Sequence, residues 1–256
     1  MPKSVLITGC GGGIGSTLAK EFHAAGLHVY ATTRSKAKMT HLEHLENITL
    51  LELDVVSQAS IEAAVEIVRK ETETLDILVN NAGQTICMPT LDVSIEEAKK
   101  IFDVNLWGVL AVTQAFAPMV IAAKGTIVNL CSISGVLYTP WLGLYNASKA
   151  ALMAYSETLK LEMSPFEVKV ISLVAGAVDT TIMSHGDLKL PENSLYKRAQ
   201  KEIRDRGNGL GVPSKTPPVD FAKQVVKDIL GGTNGPIWRG AMALVACICR
   251  NLCLFG

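Results

Sequence analysis

The stretch GLYNASKAAL carries Tyr145 and Lys149, four residues apart. On a helix that spacing puts both side chains on one face, a turn from each other. A phenol ordinarily titrates near 10 and relays protons poorly at neutral pH. A neighbouring ammonium favours the phenolate and lowers that value. Bringing it to about 7 takes ~3 units, or ~4 kcal/mol. One ammonium in a partly dry cleft, helped by a cationic cofactor ring, can supply that much. Alone the pair says little, because many helices carry a tyrosine and a lysine so spaced by chance.

It is not alone. Thirteen residues upstream of Tyr145, IVNLCSISG ends an apolar run at Ser132, whose hydroxyl suits a hydrogen bond to a substrate oxygen beside the phenol. Ser134 follows two residues on and is the alternative. Near the N-terminus an apolar run stops at Thr8, and five glycines follow within seven positions. Gly9, Gly13 and Gly15 are spaced G-x-x-x-G-x-G, with Ile14 between the last two. Bare backbone between a strand and a helix lets a pyrophosphate approach free N–H groups and the positive end of the helix dipole. The alternative is a glycine-rich turn with no ligand.

The second strand refines the ligand. An acid about 20 residues past the glycines would favour the ribose 2′-hydroxyl of NAD. Here the chain reads VYATTRSKAK, and Arg34 stands there with Lys36 and Lys38 behind it. A guanidinium grips a 2′-phosphate that a carboxylate would repel. The reading is NADP(H), against the alternative of a solvated basic helix start.

LVNNAG ends another run at Asn81, Ala82 and Gly83, and FDVNLWG places Asn105 within a long helical stretch. With the motifs above, this set resembles the short-chain dehydrogenase/reductase family in its single-domain branch. The resemblance runs from residue 4 to about residue 180. It implies that Tyr145 is the general acid that protonates a carbonyl oxygen as hydride arrives, or the base in reverse. It implies that Lys149 lowers the phenol's pKa and holds the nicotinamide ribose. Ser132 would polarise the carbonyl, and Asn105 would anchor a water that relays protons to the lysine. Thr8, Gly9, Gly13, Ile14 and Gly15 would form the pyrophosphate loop. Asp54 and Val55 would contact adenine, and Asn81, Ala82 and Gly83 would line the adenosine side. In the family's Pro-Gly-x-Val-x-Thr stretch this chain reads AGAVDT, keeping Gly176, Val178 and Thr180 with Ala175 for the proline. The loss of proline is expected to loosen that turn. No basic residue stands in the glycine loop, so phosphate recognition rests on Arg34.

These residues need a scaffold that brings strand ends together. Strand-like runs cover 4–8, 28–32, 48–53, 75–80, 125–131, 168–174 and 236–238, with helical patterns at 14–25, 58–73, 95–122 and 144–163. That βαβ alternation predicts an α/β, Rossmann-type doubly wound parallel sheet of about seven strands with helices on both faces. With 48% hydrophobic and only 5% aromatic residues, the chain suits strands buried on both faces. The expected organisation is one catalytic domain over 1–240, a substrate lid at 179–218, and an apolar tail at 241–256.

Lysine plus arginine equals aspartate plus glutamate at 24 each, so no net field favours nucleic acid. Cys10, Cys87, Cys131, Cys247, Cys249 and Cys253 read as reduced thiols in a cytosolic protein. The N-terminus enters the first strand at once and leaves no room for a signal peptide. His41 and His44 sit three apart, while His23, His28 and His185 stand alone, so no metal site is expected. The tail is too short to span a bilayer. It caps the pocket or packs between subunits, lies on the endoplasmic reticulum or a lipid droplet, or belongs to the core. An interfacial tail would leave Cys247, Cys249 or Cys253 open to acylation. The resemblance implies a homodimer or homotetramer paired through 95–122 and 144–163.

VYATTR and TGCGGGIG are similar to 17β-hydroxysteroid dehydrogenases, and LPENSLYKRAQKEIRDR is closer to fungal acyl-dihydroxyacetone-phosphate reductases, NADPH enzymes that act on lipids. Related fungal reductases serve specialised metabolism. The expected activity is NADPH-dependent reduction of a ketone on a hydrophobic, lipid-like substrate. Leu188, Leu190, Leu195 and Tyr196 are candidates for the substrate wall, and Lys197, Arg198 and Lys201 for an anionic head group or a solvated face. Oxidation of a secondary alcohol is one alternative. A non-catalytic dinucleotide-binding regulator is another, disfavoured because the whole catalytic set is present.

Overall fold

The computed structural model describes residues 2–184 and 186–252. Seven parallel strands, β1 (Ser4–Ile7), β2 (His28–Thr33), β3 (Ile48–Glu52), β4 (Ile77–Asn80), β5 (Thr126–Ser132), β6 (Lys169–Ala175) and β7 (Ile237–Arg239), form one sheet. Their order is β3-β2-β1-β4-β5-β6-β7. β1 therefore lies between β2 and β4, with Val5 opposite both Val29 and Ile77. Successive crossovers leave β1 in opposite directions, so a crevice opens at its carboxyl end.

Side chains alternate across each strand, and here both sides are apolar. Val5 and Ile7 join a core with Leu18 and Phe22 of α1 (Gly13–Ala24) and Phe221 of α7 (Pro218–Leu230). Leu6 and Leu78 join the opposite core, with Ile61 of α2 (Gln58–Glu71), Phe116 of α4 (Gly108–Ala122) and Leu159 of α5 (Gly143–Met163). The doubly wound sheet of the sequence reading is the architecture found.

Residues 95–122 form one helical run, as read from sequence, with a π turn inside it. α3 (Ile95–Phe102), opened by a Ser94–Glu97 capping box, passes into a π turn at Asp103–Trp107 before α4 begins. A Cβ at Gly108 would lie 2.8 Å from Val55, so the helix presses against the loop after β3. The π turn absorbs one extra residue and re-aims Asn105. No periodicity in the sequence announces such a turn.

The segment after β6 leaves and returns through a neck. Thr216 donates its N–H to the Ala177 carbonyl, and Asp179 donates to that of Thr216, both at 2.9 Å. Beyond the neck the chain runs in turns to the short helix α6 (Gln200–Gly207). Leu188 and Leu190 pack beneath it with Cys87, Leu142 and Ile203, and partly buried Tyr196 joins them. Leu195 is 84% exposed. The predicted substrate wall is thus corrected: Leu188 and Leu190 fasten the segment down, and Leu195 faces outward. The Ser194 hydroxyl adds a clasp, donating to Asp92 at 2.6 Å.

The tail folds as α8 (Ala243–Leu252), which buries Ala243 and Ala246 and turns Leu244, Val245 and Ile248 outward. Cys249 is exposed, and Cys253 lies outside the described residues.

Candidate active site and nucleotide cleft

The crevice beyond β1 is a cleft of about 390 Å³ walled by Gly9, Gly13, Ile14, Gly15, Arg34, Asp54, Val55, Asn81, Ala82, Gly83 and Thr180. Every one of these was marked from sequence. α1 starts after Gly12 as its N-cap residue, with no side-chain cap and no acid in its first turn. By contrast, α2 and α3 are capped by the hydroxyls of Ser57 and Ser94. A Cβ at Gly12 would meet nothing within 4 Å. An uncapped helix start behind bare backbone, opening on a cleft, leaves N–H donors for an anion. These residues fit a dinucleotide pyrophosphate.

Close packing holds the loop in place. A Cβ at Gly15 would lie 2.4 Å from both Asn81 Nδ2 and the Gly9 carbonyl oxygen. Asn81 donates from Nδ2 to the carbonyls of Thr8 (2.7 Å) and Gly9 (3.2 Å). Its amide side chain is therefore spent on the loop itself. Thr8 is 1% exposed and does not line the cleft; its hydroxyl accepts from the N–H groups of Asn81 and Ala82, each at 2.9 Å. Both residues position the glycines.

Arg34 is exposed on the cleft wall, and no hydrogen bond or ion pair holds its guanidinium among the described residues. Lys38, read from sequence as lying behind it, lines the cleft too, its stem packed over Gly11. Among the described wall residues the one acid is Asp54, beyond the neighbouring strand, where it accepts from the N–H of Val56 at 3.2 Å and makes no ion pair with Arg34 or Lys38. Gly176 and Val178 lie off the cleft. A Cβ at Gly176 would fall 2.0 Å from the Ala241 carbonyl oxygen, and the Gly176 N–H donates to the Arg239 carbonyl at 2.8 Å. The turn that lost its proline is held at Gly176 by the chain beyond β7.

Catalytic geometry forms where β5 delivers Ser132 to the start of α5. Tyr145 and Lys149 share one face of α5, with Nζ 6.0 Å from the ring centroid. Lys149 is 4% exposed and donates to the Leu130 carbonyl at 2.7 Å. Burial lowers its pKa from 10.5 to about 8. Burial raises the pKa of Tyr145, while the adjacent Ser132 hydroxyl opposes the rise. The sequence reading had the ammonium pulling the phenol down to neutrality. Among the protein's own groups desolvation wins, and the phenol keeps its proton. The N–H of Ser134 donates to the Ser132 hydroxyl at 3.1 Å and so helps to position it.

Asn105 is fully buried. It accepts from the N–H of Gln84 at 2.9 Å, donates to the Gln84 carbonyl at 2.9 Å, and donates to the Ser148 hydroxyl at 3.0 Å. Ser148 in turn donates to the Tyr145 carbonyl at 2.8 Å. A Cβ on Gly83 would lie 3.4 Å from Asn105 Oδ1 and 3.7 Å from Lys149 Nζ. Asn105 thereby locks the chain after β4 to the helix that carries the catalytic pair. Sequence reasoning missed Ser148 and Gln84, and placed Lys38 behind Arg34 rather than on the cleft wall. The i, i+3 spacing of Ser148 from Tyr145 was the available signal for the first.

Lys149 sets a pH limit with a defined sign. Its ammonium is held below about 8 and lost above, whereas an unfolded lysine keeps its proton to 10.5. The folded enzyme releases that proton first, so this group's destabilising burial is relieved, not worsened, as pH rises from about 8 to 10.5. Activity needs the charge and moves the other way. The profile of kcat/KM, which reports free-enzyme groups, is expected to fall above about pH 8, while thermal stability shows no matching loss from this residue.

The profile of the family described as short chain dehydrogenase matches residues 3–189. A short-chain dehydrogenase of Penicillium ochrochloron is 47% identical over 246 residues, covering 95% of this chain and 90% of the relative. An NADPH-dependent 1-acyldihydroxyacetone phosphate reductase of Schizosaccharomyces pombe is 43% identical over 215 residues, covering 80% and 72%. Among solved structures, a short-chain dehydrogenase of Streptomyces avermitilis superposes with a TM-score of 0.86 at 26% identity, covering 99% of this chain and 93% of that one. The chain belongs to the short-chain dehydrogenase family of oxidoreductases.

Proposed function

We propose that this protein is an NADPH-dependent carbonyl reductase acting on a ketone carried by a hydrophobic, lipid-like molecule. One observation carries the cofactor half: two cations, Arg34 and Lys38, stand on the wall of a bare glycine cleft without an acidic partner among the described residues. An anion beyond the pyrophosphate suits that wall, and the 2′-phosphate of NADP(H) is such an anion. The NADPH dependence of the fission-yeast relative supports the same reading.

When bound, the nicotinamide supplies the hydride. The chain's own residues do the rest. Burial keeps the Tyr145 phenol protonated, which is the form needed to give a proton to a carbonyl oxygen gaining charge. Ser132 presents a hydroxyl to the same oxygen. Lys149, fixed on the Leu130 carbonyl, would hold the ribose and stabilise the phenolate left behind.

The test is a panel of ketones with NADPH deuterated at C4. Deuterium is expected on the carbinol carbon of the product, with kcat/KM rising as the apolar part of the ketone lengthens, by up to about threefold to fourfold per buried methylene. Transfer only to small polar ketones would remove the lipid-like half of the reading. No transfer to any ketone, with oxidation of secondary alcohols instead, would reverse its direction.

A further inference from the structure

Among the described residues, five other than glycine hold a left-handed backbone: Asn47, Lys124, Trp141, Glu167 and Met242. Four of these are exposed. Trp141 is the exception, partly buried with φ at 67°. A bulky side chain at such a φ is strained, whereas glycine adopts it freely. Strain of this kind persists only where the surroundings enforce it. Trp141 stands four residues before Tyr145.

Two contacts enforce it. The Trp141 carbonyl accepts the Met88 N–H at 2.7 Å. The Trp141 side chain packs against a cluster of Cys87, Leu142, Leu188, Leu190 and Ile203. That cluster is separate from both cores of the sheet and joins three stretches of chain. These are the loop after β4, the segment after β6, and the approach to α5. Leu142 is the N-cap residue of α5, and its carbonyl accepts the Asn146 N–H at 2.8 Å. Tyr145 lies in the turn so begun. A Cβ at Gly143 would lie 2.7 Å from Thr90 Oγ1, so the loop after β4 presses on this turn as well. Farther along, α5 is fixed by other means: Leu152 and Leu159 sit in other clusters, and Lys149 is held on the Leu130 carbonyl. The first turn, with Tyr145, is the part that leans on Trp141.

We propose that Trp141 is a positioning residue for the reaction: its indole, seated in this cluster, fixes the first turn of α5 so that the Tyr145 hydroxyl stays beside Ser132. It acts through Leu142 and Tyr145, not on the substrate. This rests on proton donation by Tyr145 in the reading above. Turnover then depends on how the segment after β6 is seated, because Leu188, Leu190 and Ile203 carry no catalytic group but support the indole.

Trp141→Gly, Trp141→Ala, Trp141→Phe and Leu190→Ala test this. Turnover per folded enzyme, read with a ketone and NADPH, is expected to fall about tenfold to a hundredfold in the glycine and alanine variants, the scale of loss that a small misplacement causes. NADPH affinity is expected to stay within about twofold, because Trp141 is not on the wall of the nucleotide cleft. Glycine suits the backbone and alanine does not, so the glycine variant is expected to have the higher Tm of the two and yet lose as much turnover. Phenylalanine keeps a ring and is expected to hold turnover within about threefold of wild type. Leu190→Ala thins the cluster from the opposite side and is expected to reproduce part of the loss, which also serves if substitutions at Trp141 fail to fold. Tyr145 is read without turnover by NMR of enzyme labelled with carbon-13 at tyrosine Cζ, its resonance assigned by its loss in Tyr145→Phe. That resonance is expected to shift or broaden in the glycine and alanine variants and to stay in place in the phenylalanine variant. Tyr30, which donates to Glu71 on the far side of the sheet order, is expected to be unmoved in all. Turnover that merely follows Tm, normal turnover in the glycine variant, or an unchanged Tyr145 resonance in the glycine and alanine variants would overturn the assignment. If the wild type reduces no ketone, the carbonyl-reductase reading fails, and the tyrosine spectrum still decides the placement.

Discussion

Tyr145→Phe is expected to lower turnover by about a hundredfold to ten-thousandfold, the usual contribution of a positioned general acid, while NADPH affinity stays within about twofold of wild type. Phenylalanine keeps the ring beneath Lys149 and the packing at the head of α5. It removes only the hydroxyl that Ser132 adjoins. The loss should therefore fall on kcat and leave KM for the nucleotide nearly untouched, the pattern of a group that acts only in the transition state. Steady-state kinetics paired with a nucleotide titration read both quantities. Because burial already keeps the phenol protonated, the alkaline limit on rate comes first from Lys149, whose proton leaves at about 8. A Tyr145→Phe enzyme with wild-type turnover would mean the carbonyl oxygen takes its proton from elsewhere, and the role given to the α5 pair would fall.

Much of the scaffold was legible because its signals are local. Apolar runs buried on both faces mark the strands, and all seven lie within two residues of where the pattern put them. The glycine loop was legible for the same reason, since Gly9 and Gly15 sit where any Cβ collides with backbone or with Asn81. The features not read from sequence are set by contacts distant along the chain. The π turn lies where the helix passes Val55, which a Cβ at Gly108 would meet at 2.8 Å. The direction of the Tyr145 shift depends on how completely β5 and its neighbours exclude water, and spacing to Lys149 carries no information on that. Thr8 and Asn81 look like ligand residues in a motif, and the fold spends both on holding the loop.

Arg34→Ala carries the second large expectation. A guanidinium on a phosphate makes charge-assisted hydrogen bonds worth about 1.5–3 kcal/mol, and each 1.4 kcal/mol is about tenfold in affinity. NADPH affinity is expected to fall by roughly ten- to a hundredfold in the variant. Lys38 remains on the same wall, so the loss stays short of the full contribution of a phosphate site. NADH lacks the phosphate and should be bound about equally by both proteins. Salt should weaken NADPH binding to the wild type more than to the variant, because one exposed charge has gone. Titrating NADPH and NADH into wild type and Arg34→Ala by fluorescence tests the central claim most directly. The account predicts tight NADPH binding to the wild type, weaker NADH binding, and an NADPH value in the variant that moves towards the NADH value. Failure of both nucleotides to bind the wild type, or NADH binding tighter than NADPH with no effect of the substitution, would contradict it.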